Sequence, residues 1–152
     1  MRILALMVCL AAVAAAAEPN GLTTGSDMAR DGRRRQFEQL ANAHRARIGC
    51  GRLRWDPAAA AVAQQHADDM VRRDFFSHTN PDGKSPFDRL RAAGVTYTAA
   101  AENIAFGYVT ASAVLDAWVA SKGHRRNLEN CRYTHHGVGL RDRTWVQVFI
   151  RR

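Results

Sequence analysis

Glu102-Asn103-Ile104-Ala105-Phe106-Gly107, followed downstream by Trp118-Val119-Ala120-Ser121-Lys122-Gly123-His124, is the stretch from which the rest of this chain can be read. A carboxylate and an amide stand side by side in an apolar run, and a Trp-x-x-Ser-x-Gly-His sequence closes the helical segment after it. A carboxylate buried among apolar groups is costly unless a partner satisfies it. Glu102 therefore predicts a partner brought in from elsewhere. Histidines lining a shared cleft are the first candidates, with His124 at the end of the stretch itself.

Working back from Glu102, Val95-Thr96-Tyr97 has strand character, and Ser85-Pro86 starts a short helix that Gly94 stops. Before it, Thr79-Asn80-Pro81-Asp82-Gly83 is a turn-rich loop. His78 stands at the edge of that loop behind Phe75 and Phe76, a position where functional side chains concentrate. Asp56-Pro57 caps a second helix whose stripe is Ala59, Val62, Ala63, His66 and Met70. His66, lying on that stripe, reads as a core histidine outside the site. A first helix carries Phe37, Leu40, Ala41, His44 and Ile48 and ends at Gly49. Forward of Glu102, Thr110 or Ser112 caps a helix over 110–121, with Val114, Leu115, Trp118 and Val119 as its apolar face, and a further helical turn runs to Leu128. The period then changes to two: Gly137-Val138-Gly139-Leu140, a turn at 141–144 and Trp145-Val146-Gln147-Val148-Phe149-Ile150 read as an antiparallel hairpin. Helices first and a terminal hairpin imply an α+β domain.

At its start the chain reads as a leader. Met1-Arg2, an apolar core over Ile3 to Val13 and small residues at Ala14 to Ala17 predict a signal peptide over 1–17, cleaved before Glu18. Residues 18–32, with Gly21, Gly25 and Gly32, read as a linker, so the folded domain is expected over 33–152 as a single unit of ordinary size. No later run approaches the ~20 apolar residues of a membrane span. A secreted protein, periplasmic or extracellular and monomeric, is expected. Cys9 falls in the leader, leaving Cys50 and Cys131, an even number in an oxidising compartment. Either they form a disulfide, closing a loop of roughly 80 residues for about 4–5 kcal/mol, or they are two buried thiols. The bridge is the expectation.

The formal charge is +8, which favours anionic partners such as an envelope polymer. Of the 22 basic residues only Lys84 and Lys122 are lysine, which points to genomic base bias as the source of the charge. The clusters Arg33-Arg34-Arg35, Arg125-Arg126 and Arg151-Arg152 lack interleaved aromatics and a reading motif, so nucleic acid is excluded as a partner.

These elements, in this order, resemble the CAP superfamily of cysteine-rich secretory proteins, antigen 5 and pathogenesis-related 1 proteins, in its bacterial SCP-domain branch. The resemblance is carried by Asn42-x-x-Arg45, Leu53-x-Trp55, Ala63-x-x-His66-Ala67-x-x-Met70, Phe76-Ser77-His78, Glu102-Asn103-Ile104-Ala105, Trp118-x-x-Ser121-x-Gly123-His124-Arg125-x-Asn127-Leu128 and the closing hairpin. It implies a three-layer α-β-α sandwich and a cleft lined by His78, Glu102 and His124. Asn103 supports the Glu102 loop, and Ser121 stands where eukaryotic members carry a second acidic residue.

Two imidazoles and one carboxylate with an open fourth position are the ligand set of a catalytic zinc site. They can equally form a metal-free network around Glu102. With Ser121 in place of a carboxylate, the second arrangement is favoured; no cofactor is required, and zinc or another divalent metal at His78 and His124 is the alternative. Ser121 reads as a helix cap in preference to a nucleophile. The function expected is a non-enzymatic envelope or extracellular binding domain for a lipid, sterol or wall-derived ligand. Its alternative is a metal-assisted hydrolase or protease using His78, Glu102 and His124.

Overall fold

The computed structural model describes residues 24–152; the expected leader, its cleavage site and the first part of the expected linker lie outside the described residues. Helix α1 spans Gly25–Arg47, eight residues longer at its start than the apolar stripe predicts. The reason is local. Thr24 and Asp27 form a capping box, and Asp27–Arg30 (2.9 Å) and Asp31–Arg34 (2.7 Å) pair one turn apart, so a polar segment with two glycines still winds as helix. Strand β1 (Arg54–Trp55) and helix α2 (Pro57–Arg72) follow, the latter capped by Asp56, whose carboxylate accepts the Ala59 N–H at 2.8 Å. Helix α3 is Pro86–Ala92, strand β2 Ala99–Phe106, helices α4 and α5 Ala111–Ala120 and Lys122–Leu128, and strands β3 and β4 His135–Arg141 and Thr144–Arg151.

Two expectations are corrected here. Val95-Thr96-Tyr97 lies outside the sheet, and the Glu102 segment read as a loop is strand β2. Eight paired residues from Ala99↔Arg151 to Phe106↔Thr144 hold it, so pairing along β4 overrides the poor strand propensity of three alanines.

The sheet order is β1-β3-β4-β2, antiparallel except that the two-residue β1 runs parallel to β3. The small sheet is thus antiparallel over β3, β4 and β2, with β1 as a short parallel edge. On β4, Trp145 and Phe149 face the cluster formed with α1, α4 and α5, while Val146, Val148 and Ile150 face α2 and α3. Both faces of the sheet are covered, which makes the three-layer α-β-α sandwich. Helix α2 lies against β3 closely enough that a Cβ at Gly137 would strike the Ala60 backbone, and one at Gly139 the Ala63 backbone. The alanine stripe of α2 and the glycines of β3 are one feature seen from two sides.

Cys50 and Cys131 form the expected disulfide. Beside it Arg45, fully buried, donates to the carbonyls of Gly51 (2.9 Å), Leu128 (2.8 Å), Asn130 (3.0 Å) and Tyr133 (3.2 Å). Its charge is dispersed over carbonyl dipoles, and those bonds anchor the segment that follows α5.

Candidate functional site at the β2 edge

Strand β2 is the outer strand beside β4, and its side chains alternate between faces. Glu102 projects toward α2 and α3, with Ile104 in their cluster; Asn103 projects toward α4 and α5, on the side of Ala105. Two adjacent residues thus brace the two halves of the site from opposite faces.

On the α2 face, Glu102 is almost wholly buried, its side chain 2% exposed. Its Oε1 accepts from His78 Nδ1 at 2.8 Å and its Oε2 from Arg89 Nη2 at 2.7 Å. Arg89, on α3, also donates to the carbonyls of His78 (2.8 Å) and Lys84 (3.0 Å). Arg89 is the residue that sequence reasoning missed. It is the charge partner that Glu102 requires, so the expected pair of histidines is corrected to one arginine and one histidine. The available signal was its place on the short helix after the His78 loop, with no obvious partner of its own.

His66, set aside as a core histidine, is indeed fully buried, yet it belongs to this network. Its Nε2 donates to the Ser77 carbonyl at 2.9 Å and lies 4.0 Å from Glu102 Oε1, so it fixes the segment that carries His78. Burial, against the opposing pull of Glu102, holds its ring below the ordinary imidazole pKa and keeps it neutral. The segment itself begins where Asp74 takes a left-handed φ of 51° and releases the chain from α2.

On the other face, Asn103 Nδ2 donates to the His124 carbonyl at 3.0 Å, and Asn127 Nδ2 donates to Asn103 Oδ1 at 2.8 Å. The first turn of α5 is thereby tied to the sheet edge. Ser121 stands at the cap position of α5 without making a side-chain cap; its hydroxyl instead meets His124 Nδ1 at 2.9 Å. Burial first, and the nearby His78 second, hold the His124 ring below the ordinary imidazole pKa.

Nδ1 of each site histidine is thus occupied, His78 by Glu102 and His124 by Ser121, while neither Nε2 has a hydrogen-bond partner among the described residues. His78 is half-exposed. A three-ligand metal centre on His78, Glu102 and His124 does not fit this arrangement. Both Glu102 oxygens are committed, and no three His, Cys, Asp or Glu among the described residues converge as a ligand set.

A helix-covered mixed sheet with a glutamate-histidine cluster at its edge strand defines the chain as an α-β-α sandwich domain. The chain belongs to the cysteine-rich secretory protein (CAP) family, whose defining pattern matches residues 39–149. It is 40% identical over 118 residues to YlbC, described as an uncharacterized membrane protein of Bacillus subtilis (strain 168), and 36% identical over 138 residues to YkwD of the same organism. Those matches cover 78% and 90% of this chain but 34% and 54% of the relatives, so it spans about a third to a half of the curated proteins it matches. Among solved structures it is similar to an extracellular protein containing an SCP domain from Bacillus anthracis str. Ames, with 37% identity and a TM-score of 0.80 over 88% of this chain and 45% of that one. An outer surface protein from Borrelia burgdorferi shares the fold at 21% identity and a TM-score of 0.71, over 78% of this chain and 91% of that one. Among the described residues no helix is long and apolar enough to cross a membrane.

Proposed function

We propose that this chain is an exported, non-enzymatic binding domain that takes a lipid, sterol or wall-derived ligand at the β2 edge. His78 and His124 make the contacts, and Glu102, Asn103 and Ser121 hold them in place. The observation that carries this reading is the double commitment of Glu102. With Oε1 on His78, Oε2 on Arg89 and the side chain only 2% exposed, the carboxylate serves to orient His78 and to pair with Arg89, which supports a positioning role over that of a base acting on water. Two imidazoles remain, each presenting an Nε2 with no hydrogen-bond partner among the described residues, and a ring nitrogen so placed can hydrogen-bond a ligand hydroxyl or amide.

The test is calorimetric titration of the exported, leader-free chain with wall fragments and with dispersed sterol and phospholipid. The double variant His78→Ala/His124→Ala should lose at least about tenfold in affinity for whichever ligand binds while keeping a native circular dichroism spectrum, with some loss of thermal midpoint because the Glu102 carboxylate loses one partner. Equal binding by the double variant rejects the cleft. The same preparation establishes export, since its mass should begin at Glu18.

A hydrolase remains the second reading, supported by two oriented pairs, His78–Glu102 and Ser121–His124. No histidine is shared between them, so hydroxyl, base and orienting carboxylate do not form one relay. Ester or peptide turnover that disappears in His78→Ala would establish it in place of the binding reading.

A further inference from the structure

Strand β2 has β4 on one side and no strand on the other, so half of its backbone groups need partners from outside the sheet. Gly107 donates to the Arg143 carbonyl at 3.0 Å as the pairing with β4 ends. That register turns the N–H and C=O groups of Ala101, Asn103 and Ala105 toward β4 and those of Ala100, Glu102 and Ile104 outward. The fold answers two of the outward carbonyls. Asn127 Nδ2 donates to that of Glu102 and Trp118 Nε1 to that of Ile104, each at 3.4 Å. The N–H groups of Ala100 and Glu102 and the carbonyl of Ala100 have no such partner among the described residues.

The devices that usually protect an exposed strand are missing here. Ala99-Ala100-Ala101 carries no charge and no proline, and its register on β4 is unbroken by a bulge. Ala99 and Ala101 pack against one core cluster and Ala100 against the other, so both faces of the strand are covered, yet all three residues stay half-buried. The surface they retain is the outer edge itself, and alanine side chains are too short to screen it. The site residues bracket this edge: Glu102 holds His78 on one face of the sheet, and Asn103 holds the His124 carbonyl on the other.

We propose that this open edge takes an extended peptide by strand addition, its backbone pairing with Ala100 and with the Glu102 N–H while its alternate side chains pass His78 on one face and His124 on the other. The inference narrows the ligand of the β2 edge to a peptide and rests on the reading of that edge as the binding site. Backbone pairing selects the ligand. Outward N–H and C=O groups at alternate residues match a chain in the extended conformation, whereas a sterol or an acyl chain has no groups in that spacing to meet them. The side chains of an added strand also alternate between the faces, as His78 and His124 do. A second copy is the poorer occupant, because the open run stops where Asn127 and Trp118 cover the carbonyls of Glu102 and Ile104, and the few backbone groups left fall far short of the contact a stable dimer needs.

The test is titration of the exported, leader-free chain, followed by amide NMR, with a blocked peptide of alternating L-threonine and L-valine and with a wall stem peptide. The two arms separate a protein segment from wall material as the source. With at least one of them the Ala100 and Glu102 amides should shift downfield and exchange at least about tenfold more slowly. N-methylating one alternate set of nitrogens in the bound peptide should weaken binding by about tenfold or more, while methylating the other set should not. Ala100→Pro removes the outward N–H without touching a bond to β4, so it should lose binding by a similar factor while keeping a native circular dichroism spectrum. No change at Ala100 and Glu102 with either peptide, or equal weakening by both methylated sets, overturns the proposal. So does a concentration-dependent dimer that Ala100→Pro disperses, which would assign the edge to a second copy. Equal binding by wild type and Ala100→Pro overturns strand addition and leaves the histidine cleft standing. A peptide lost from Ala100→Pro but kept by His78→Ala/His124→Ala upholds strand addition and rejects the histidine contacts, so the two failures are distinguishable.

Discussion

At the scale of single residues, the site is a problem in charge burial. Glu102 and Arg89 are both largely withdrawn from water, and removing one leaves the other uncompensated. Arg89→Met should therefore destabilise the fold by roughly 3–5 kcal/mol, measured by urea unfolding, whereas Arg141→Gln at the surface should change stability by less than about 0.5 kcal/mol. His136 poses the opposite problem. Fully buried against Trp55, with the Gln147 amide 3.0 Å from Nδ1, it is pushed down from 6.5 to about 4, first by burial and then by the charges of Arg45 and His135. An unfolded chain takes up that proton as pH falls through 6.5, while the folded one resists until about 4. Stability should thus be lost on acidification across this window, by roughly 3 kcal/mol for this residue. The pH dependence of urea midpoints should flatten in His136→Leu; an unchanged slope would mean that His136 does not carry it.

Among elements, the decisive contact is α2 on β3. Gly137 and Gly139 admit the helix backbone where any side chain would collide with Ala60 or Ala63. Either glycine changed to alanine should cost at least about 3 kcal/mol by overpacking, or prevent folding altogether, as followed by circular dichroism. The α1 extension makes a contrasting prediction. Thr24→Ala removes the capping box at an exposed end and should cost only about 1 kcal/mol, seen as a small shift in thermal midpoint. The helix periods, the Asp56-Pro57 and Ser85-Pro86 starts and the hairpin were all legible from local pattern. The β2 strand was not, because its alanines carry no strand signal and only β4 selects the extended form.

Over the whole molecule, one covalent link closes 81 residues and joins the end of α1 to the segment after α5. Reduction should lower stability by about 4 kcal/mol on the chain-entropy model, read as a shift in urea midpoint with and without reductant. The Arg45 bonds to the same segment should keep the reduced chain native at room temperature. Because the bridge and Arg45 both act on the base of α5, reduction should also loosen His124, detectable as faster amide exchange in α5 than in α2.

The sequence alone determined the family and the order of helices and hairpin, made the Cys50–Cys131 bridge the expectation, and put forward His78, Glu102, Asn103, Ser121 and His124 as candidates. Those features rest on short-range patterns and on motifs whose spacing survives without the fold. Only the tertiary structure decided which charge answers Glu102. The Glu102–Arg89 pair depends on where α3 lands on the sheet, and the opposite facing of Glu102 and Asn103 depends on the register of β2 against β4. For the same reason His66 passed as a core residue. A histidine on an apolar stripe looks alike in sequence whether its ring meets other side chains or, as here, the carbonyl that holds His78 in place.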